Sequence, residues 1–406
     1  MLSAVLALVL LGGTAPRHWR VGPGAVSTIA EALRQAHAGD TIEVASGTYR
    51  EPTLVLDRRL VLLGTGWPVI DGEGRRQLIT VTADSVEVRG FVLRNSGTSI
   101  LEDPAAIKAS SVRSCLIADN RIENAYFGIY LAATEGCRVI GNRIAGQARS
   151  EALAGNGVHL WKSSHVTVLG NEISGHRDGI YLEFTTDSHI ERNRSAGNLR
   201  YGLHFMFSHD CEYRDNRFEA NGSGVAVMYS HGVTMIGNHF ARSWGAAAYG
   251  LLLKELGDSR VIGNHFERNS TALYLEGTNR LELTGNRFEG NGWAVIVLGD
   301  ADRNQFSRNF FIGNSFDVAS NSTTTRSSFD HNYWDHYRGY DLNRDGVGDV
   351  PFAPVRLFSL VVQRNPPSLL LLRSLTVNLL DLAERVLPVL TPATLVDPTP
   401  LMRPPE

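Results

Sequence analysis

Asn171-Glu172-Ile173-Ser174, Asn193-Arg194-Ser195-Ala196, Asn216-Arg217-Phe218-Glu219 and Asn238-His239-Phe240-Ala241 are four versions of one phrase. Each follows a β-branched or apolar strand, and the position two places after the asparagine is usually apolar. Extending the comparison in both directions adds Asn120, Asn142, Asn264, Asn286, Asn309 and Asn332, at intervals near 22 or 23 residues, with two longer intervals ending at Asn171 and Asn264. Ten coils are counted this way. A repeat of this length, built of strands and turns with neither an Ala/Leu-rich helix nor a leucine-rich-repeat consensus, predicts a β-solenoid. The expected fold is all-β, a right-handed parallel β-helix. Gly179-Ile180-Tyr181-Leu182 or Tyr201-Gly202-Leu203-His204 supplies one strand of a coil with period-two alternation, and Val166-Thr167-Val168-Leu169 supplies the next.

The columns fix the register. Two residues after each repeat asparagine stand Ile122, Ile144, Ile173, Ser195, Phe218, Phe240, Phe266, Phe288, Phe311 and Trp334, a nearly unbroken apolar stack able to fill the bore. The asparagines read as an inward ladder. Stacked coils bring like side chains to about 4.8 Å, close enough for amide-to-amide and amide-to-backbone hydrogen bonds.

With 43% hydrophobic and 20% charged residues the chain can fill one long solenoid and has no disordered-class signature. The net charge of -3 and the lack of a Lys/Arg run argue against a nucleic-acid partner. Residues 1–15 read as a secretory signal: Leu2 to Leu11 is too short to span a bilayer and is followed by small residues, although a basic start is missing. A first buried strand is the alternative reading. Cys115, Cys137 and Cys211 each lie five residues before a repeat asparagine and so share an inward column. Neighbouring coils would bring Cys115 and Cys137 to a disulfide spacing, or all three are small core fillers.

Residues 16–53 form an N-terminal cap with a helix expected over Ser27 to Ala38, where Thr28 and Glu31 can make a capping box. The β-helix follows over 54–335. In the acidic segment 336–355, Asp341, Asn343, Asp345, Gly346 and Asp349 are spaced as in short calcium loops, though Phe352 stands where a bidentate Glu would be. A bound calcium and an ordinary Asp/Asn/Gly turn both fit that spacing. Residues 356–406 form a leucine-rich helical tail in which Arg373, Asp381 and Glu384 interrupt the apolar run, so it is not a spanning helix. Either it caps the solenoid, or Leu369, Leu372, Leu379 and Leu382 dock on a membrane partner.

Tyr201-Gly202-Leu203-His204-Phe205-Met206-Phe207-Ser208-His209-Asp210, the Asn332-Tyr333-Trp334 segment with Asp341 to Pro351, and the tail beginning Pro354-Val355-Arg356-Leu357-Phe358 together resemble the NosD family. That resemblance covers nearly the whole chain. It implies a periplasmic, non-enzymatic parallel β-helix that works with an ABC transporter's membrane subunit and ATPase. It further implies that copper, received from a lipoprotein chaperone, passes towards the copper-sulfide centre of nitrous oxide reductase, and that the tail holds the membrane subunit.

Outward columns follow from the repeat itself. If Leu203, Phe205 and Phe207 point in, His204 and Met206 point out. His159, Tyr181 and Ala226 then share the His204 column, and Trp161, Glu183 and Met228 share the Met206 column. Thioether and imidazole suit soft Cu(I), so His204, Met206 and Met228, with His209 close by, form a candidate copper patch surrounded by His159, Trp161, Tyr181 and Glu183. An exposed methionine pair can equally be a docking surface. The rival class is a β-helix lyase, epimerase or hydrolase acting on polysaccharide, which would need paired carboxylates, with Glu183, Asp187 and Asp210 as outward candidates. A passive carbohydrate-binding solenoid would instead stack sugars on Trp161 and Tyr181.

Overall fold

The computed structural model describes residues 15–99, 101–322, 326–372, 374–386 and 395–404. Apart from Ala15, the expected signal segment lies outside them. Three parallel sheets of 14, 12 and 13 strands form the walls of a solenoid. Each coil visits the walls in turn. The 14- and 13-stranded walls are built largely from three-residue strands, and the 12-stranded wall carries longer ones such as Asp178–Glu183, Tyr201–Met206 and Ser223–His231. The coils beyond the ten counted from asparagines lie at the N-terminal end, where Ile42, Leu62 and Val88 continue the buried column of the first wall without a ladder asparagine.

The asparagine ladder is continuous. Asn142 Oδ1 accepts from both the backbone N–H (3.0 Å) and the side-chain amide (3.1 Å) of Asn120, and the same pair of bonds repeats at each step to Asn332. The corner that aims each asparagine inward puts the preceding residue in the left-handed region. Gly141, Gly170, Gly237, Gly263 and Gly285 take it with φ of 60° to 65°, while Asp119, Arg192, Asp215, Arg308 and His331 take it with φ of 51° to 54°. Beside the ladder, the rings of Phe240, Phe266, Phe288 and Phe311 stack at 4.7 to 5.0 Å, and Trp334 closes the stack 4.0 Å from Phe311.

A second ladder was not expected from the sequence. Asn198, Asn221, Asn269, Asn291 and Asn314, five residues after a repeat asparagine, line the next corner, and His176 occupies the same place one coil before Asn198. Ser163, Thr185, Ser208 and Ser230 line the third. The longer intervals are loops: one carries a single turn at Glu151–Leu153, and the other runs from Arg242 to Ala248. Cys115 and Cys137 are joined as a disulfide between adjacent coils, with Cα atoms 4.5 Å apart, and Cys211 is free and buried.

At the N-terminal end, α1 (Ile29–Gln35) is shorter than expected. Thr28 caps it through Oγ1, and the carboxylate of Glu51, rather than a reciprocal bond from Glu31, accepts from Ile29 N and Ala30 N. Ile29, Ala32 and Leu33 cover the first coil. At the other end α2 (Leu357–Arg364) packs Phe358 and Val362 on Phe316, and α3 (Leu375–Val386) adds Val377 and Leu380 to that cluster. The chain then returns. Phe352 pairs with Asp397 and Tyr333 with Leu401.

Asp397 is fully buried, and its Oδ2 accepts from Asn332 N, Asn332 Nδ2 and Trp334 Nε1, each at 3.0 Å. A carboxylate only accepts, so it can end an amide ladder beyond which nothing needs a donor. The last residues of the tail are therefore a cap, and the docking expectation is confined to the helices before it. Asp397→Ala leaves the Asn332 N–H without an acceptor, an expected loss of about 2 kcal/mol. Hydrogen exchange at Asn332 to Trp334 should quicken, while exchange at Asn193 stays unchanged.

Candidate functional site

The long-strand wall carries the candidate residues, and pairing between coils decides which of them meet. Met206 pairs directly with Met228, and Glu183 with Met206, so the column Trp161, Glu183, Met206, Met228, Lys254, Glu276 runs along one outer line. Both methionines are half-buried. Of the five methionines in the chain, Met235 is fully buried in the bore and Met206 and Met228 are the adjacent pair on the outside. Lys254 Nζ is tied to Glu276 Oε1 at 2.6 Å, which bounds the thioether pair on one side.

Phe207 does not point into the bore as expected. It takes φ +48° at the corner, and its ring is 39% exposed in an outer ladder with Phe184 (5.3 Å) and Tyr229 (5.1 Å). The corner ends the alternation, so Ser208 turns in instead, where its Oγ accepts from Thr185 N. Three aromatic rings thus form a line at the corner one residue beyond the column of Glu183, Met206 and Met228.

His204 lies on the outer side of its strand but under cover. The ring of Tyr181 stacks on it at 4.7 Å, Tyr201 lies at 4.9 Å, and the residue is 4% exposed. Its Nδ1 faces Asp178 Oδ2 at 3.6 Å. Although burial pushes Asp178 up, the Arg200 guanidinium and the His204 ring hold it down at about 2. Arg200 Nε donates to Asp178 Oδ1 at 2.9 Å, Arg200 Nη2 donates to Oδ2, and Tyr201 N donates to Oδ1. Arg200 Nη2, which can only donate, lies 3.4 Å from the same His204 Nδ1, so the carboxylate and the guanidinium favour opposite tautomers of the ring. The His204 Nε2 is buried and has no hydrogen-bond partner.

His159 and Tyr181 likewise form part of a covered ring stack rather than an open surface: Tyr130 to His159 is 4.6 Å and His159 to Tyr181 is 4.8 Å. Burial, with the Arg177 charge, pushes His159 down to about 3, and burial pushes Tyr181 up to about 12. His159 stands two strand spacings from His204, roughly 10 Å, too far to share one ion. Trp161 and Glu183 are the open members of the expected patch, and Lys162 Nζ lies 4.6 Å from the Trp161 ring centre.

A model of the family described as "Periplasmic copper-binding protein (NosD)" matches residues 75–200 and 141–344 of this chain. The chain belongs to the NosD family. A Pseudomonas aeruginosa relative named probable ABC transporter binding protein NosD is 34% identical over 382 residues, covering 89% of this chain and 88% of the relative. A Stutzerimonas stutzeri protein of the same name is 28% identical over 422 residues, covering 99% and 94%. Among solved structures, the Streptococcus pneumoniae surface adhesin PfbA matches with TM-score 0.53 and 12% identity over 79% of this chain and 91% of the adhesin. A family 28 exopolygalacturonase of Yersinia enterocolitica matches with TM-score 0.54 and 10% identity, covering 80% of this chain and 79% of the enzyme. Those two likenesses show the β-helix alone.

For a NosD-family chain the soft-ligand column is the feature to weigh, and the other candidates sort against it. His209 and His231 stack at 4.0 Å at the next corner, with His209 Nδ1 accepting from His231 N. That contact places the His209 proton on Nε2, so ligation there requires the proton to move. His239 and His265 stack at 4.9 Å and pair with Glu267 and Glu289, a turn ladder. In the acidic loop, Asp341, Asn343 and Asp345 accept from the backbone N–H groups of Asp345, Gly346 and Val347, and Asp349 accepts from Leu342 N. No three of its carboxylates bring ligand atoms within 4.8 Å of one another. As for the rival chemistry, both oxygens of Asp178, the buried carboxylate beside His204, are engaged by Arg200, so it is not free to act as an acid or base.

In the tail, Leu369, Leu379 and Leu382 are exposed, whereas Leu372 packs on the cluster that holds α2. One further group was not expected from the repeat. Asp317, Asp335 and His336 meet at the last coil, and the two carboxylates push His336 up to about 9.

Proposed function

We propose that this NosD-family chain receives Cu(I) on the outer face of its long-strand wall and passes it on, with an ABC transporter, for assembly of the copper-sulfide centre of nitrous oxide reductase. The observation that carries the reading is the direct pairing of Met206 with Met228 on adjacent strands of the outer face. Two thioethers one strand spacing apart and the unpartnered Nε2 of His204 offer the sulfur and nitrogen donors that soft Cu(I) prefers. Half-buried, next to a line of aromatic rings and without a bound thiolate, they suit a cargo that is held and then released. His209 stands at the edge of the patch as a further donor for the exchange. A copper chaperone lipoprotein on one side and the reductase on the other would meet the Phe184, Phe207 and Tyr229 ladder beside it.

The exposed leucines of α3 and of the Pro366–Leu371 turn are the proposed seat for the transporter's membrane subunit. Among the described residues no helix is long and apolar enough to cross a membrane, and the proposed attachment is docking through these leucines. The Cys115–Cys137 disulfide agrees with an oxidising compartment such as the periplasm.

Competition titration of the full chain with a Cu(I) chelator tests the ligand set. Met206→Leu with Met228→Leu preserves packing volume and is expected to weaken Cu(I) binding by about 100-fold, or ~2.7 kcal/mol. Unchanged affinity would remove copper from this face and leave the patch as a docking surface.

A further inference from the structure

Along the corner that leads into the long-strand wall, one column reads Gly128, Gly157, Gly179, Gly202, Gly224, Gly250, Ala272, Ala294 and then Asp317. The glycines are required there: a Cβ on Gly202 would lie 2.7 Å from Asn221 Nδ2 and 2.8 Å from Gly224 O. Only at the last coil does the column carry a long polar side chain, and Asp317 is 4% exposed.

Its Oδ2 lies 3.4 Å from His336 Nδ1, and Asp335 Oδ1 lies 2.8 Å from the same nitrogen. All three ligand atoms fall within 4.8 Å of one another. Bonds of about 2.0 to 2.2 Å to a tetrahedral ion place neighbouring ligand atoms roughly 3.3 to 3.6 Å apart; the 3.4 Å pair already matches, and the 2.8 Å pair opens by about 0.5 to 0.8 Å when a metal replaces the shared proton. The outer oxygens already have donors: Gly313 N donates to Asp335 Oδ2 at 2.6 Å, and Asn314 Nδ2 is 3.4 Å from Asp317 Oδ1. Asp335 Oδ1 is a buried atom, and its polar neighbour is the His336 Nδ1 that would share the ion.

The geometry points to a divalent-cation site at Asp317, Asp335 and His336, of the zinc class, separate from the copper face. Two carboxylates and one imidazole are hard to borderline donors that suit Zn(II) and disfavour Cu(I), with water or a fourth group completing the shell. Such an ion ties the segment after the last strand to the wall. It does so one residue from Phe316, whose ring stacks on Trp293 at 4.1 Å and supports Phe358 of α2. Occupancy therefore firms the seat of the helical tail.

The test uses the full chain after chelator treatment, titrated with Zn(II) by calorimetry and with Co(II) by visible absorption. One site is expected, weakened at least about tenfold in Asp317→Asn and in His336→Gln, and kept in the loop variant Asp341→Asn with Asp345→Asn. Cu(I) affinity should be the same in all of them, which separates this site from the copper reading. His336 is half-exposed, so its variant serves if Asp317→Asn does not fold. Absence of Zn(II) binding by the unaltered chain, or binding that neither variant weakens, overturns the proposal.

Discussion

Asn216→Ala should be among the most damaging single substitutions in the solenoid, lowering the unfolding free energy by about 4 kcal/mol. Its Oδ1 accepts from Asn193 N (2.9 Å) and Asn193 Nδ2 (3.0 Å), and its Nδ2 donates to Ile190 O (2.8 Å) and Asn238 Oδ1 (3.0 Å). Truncation removes all four bonds inside a buried corner. The Asn193 N–H is left with no acceptor, a desolvation cost of about 1 to 3 kcal/mol, and the other three losses add roughly 1 kcal/mol each at most. Asn216→Asp should also destabilise at neutral pH, because its second oxygen would face Asn238 Oδ1, whereas Asp397 succeeds at the ladder's end. Urea unfolding of both variants against the unaltered chain measures the effect. A loss below about 1 kcal/mol would mean that water or a shifted neighbour satisfies the corner.

Mild acid should destabilise the fold steeply. Burial, together with the Arg177 charge, pushes His159 down to about 3, and burial pushes His176 down to about 4. Each is neutral when folded and titrates near 6.5 when unfolded, so its contribution is complete above pH 6.5 and is lost as pH falls towards the folded value. Unfolding then takes up two protons, a slope of about 2.7 kcal/mol per pH unit, and between pH 6.5 and 4.5 the loss reaches roughly 5 kcal/mol. Asp178, held at about 2, contributes above pH 3.8 and extends the loss below it. His176→Asn continues the second asparagine ladder and should halve the slope. Urea midpoints across that pH range decide it, and a flat profile would contradict the burial of the two rings.

The architecture was legible because a solenoid stacks like on like. The asparagine interval located the corner, and the residue two places on located the bore. What escaped lay where that logic stops. Phe207 follows a strand into a left-handed corner, so alternation assigned it to the wrong side, while the pairing of Met206 with Met228 depended only on coil length and survived. His204 was placed on the correct face, but its cover comes from Tyr181 on the neighbouring coil, from Tyr201 three residues back on its own strand and from Arg200 at a corner that no period describes. Asp397 ends a ladder 65 residues after Asn332, too far for any repeat to announce. Asp317 was visible in principle, as the one acid in a column of glycine and alanine, but only once that column had been aligned.

The atoms that hold copper decide the function of this face. X-ray absorption at the copper edge of the Cu(I)-loaded full chain reads them directly. Two thioether sulfurs and one imidazole nitrogen are predicted, with the sulfur shell lost in Met206→Leu with Met228→Leu. A spectrum with only nitrogen and oxygen neighbours, or a sulfur shell unchanged by those substitutions, would contradict that ligand set.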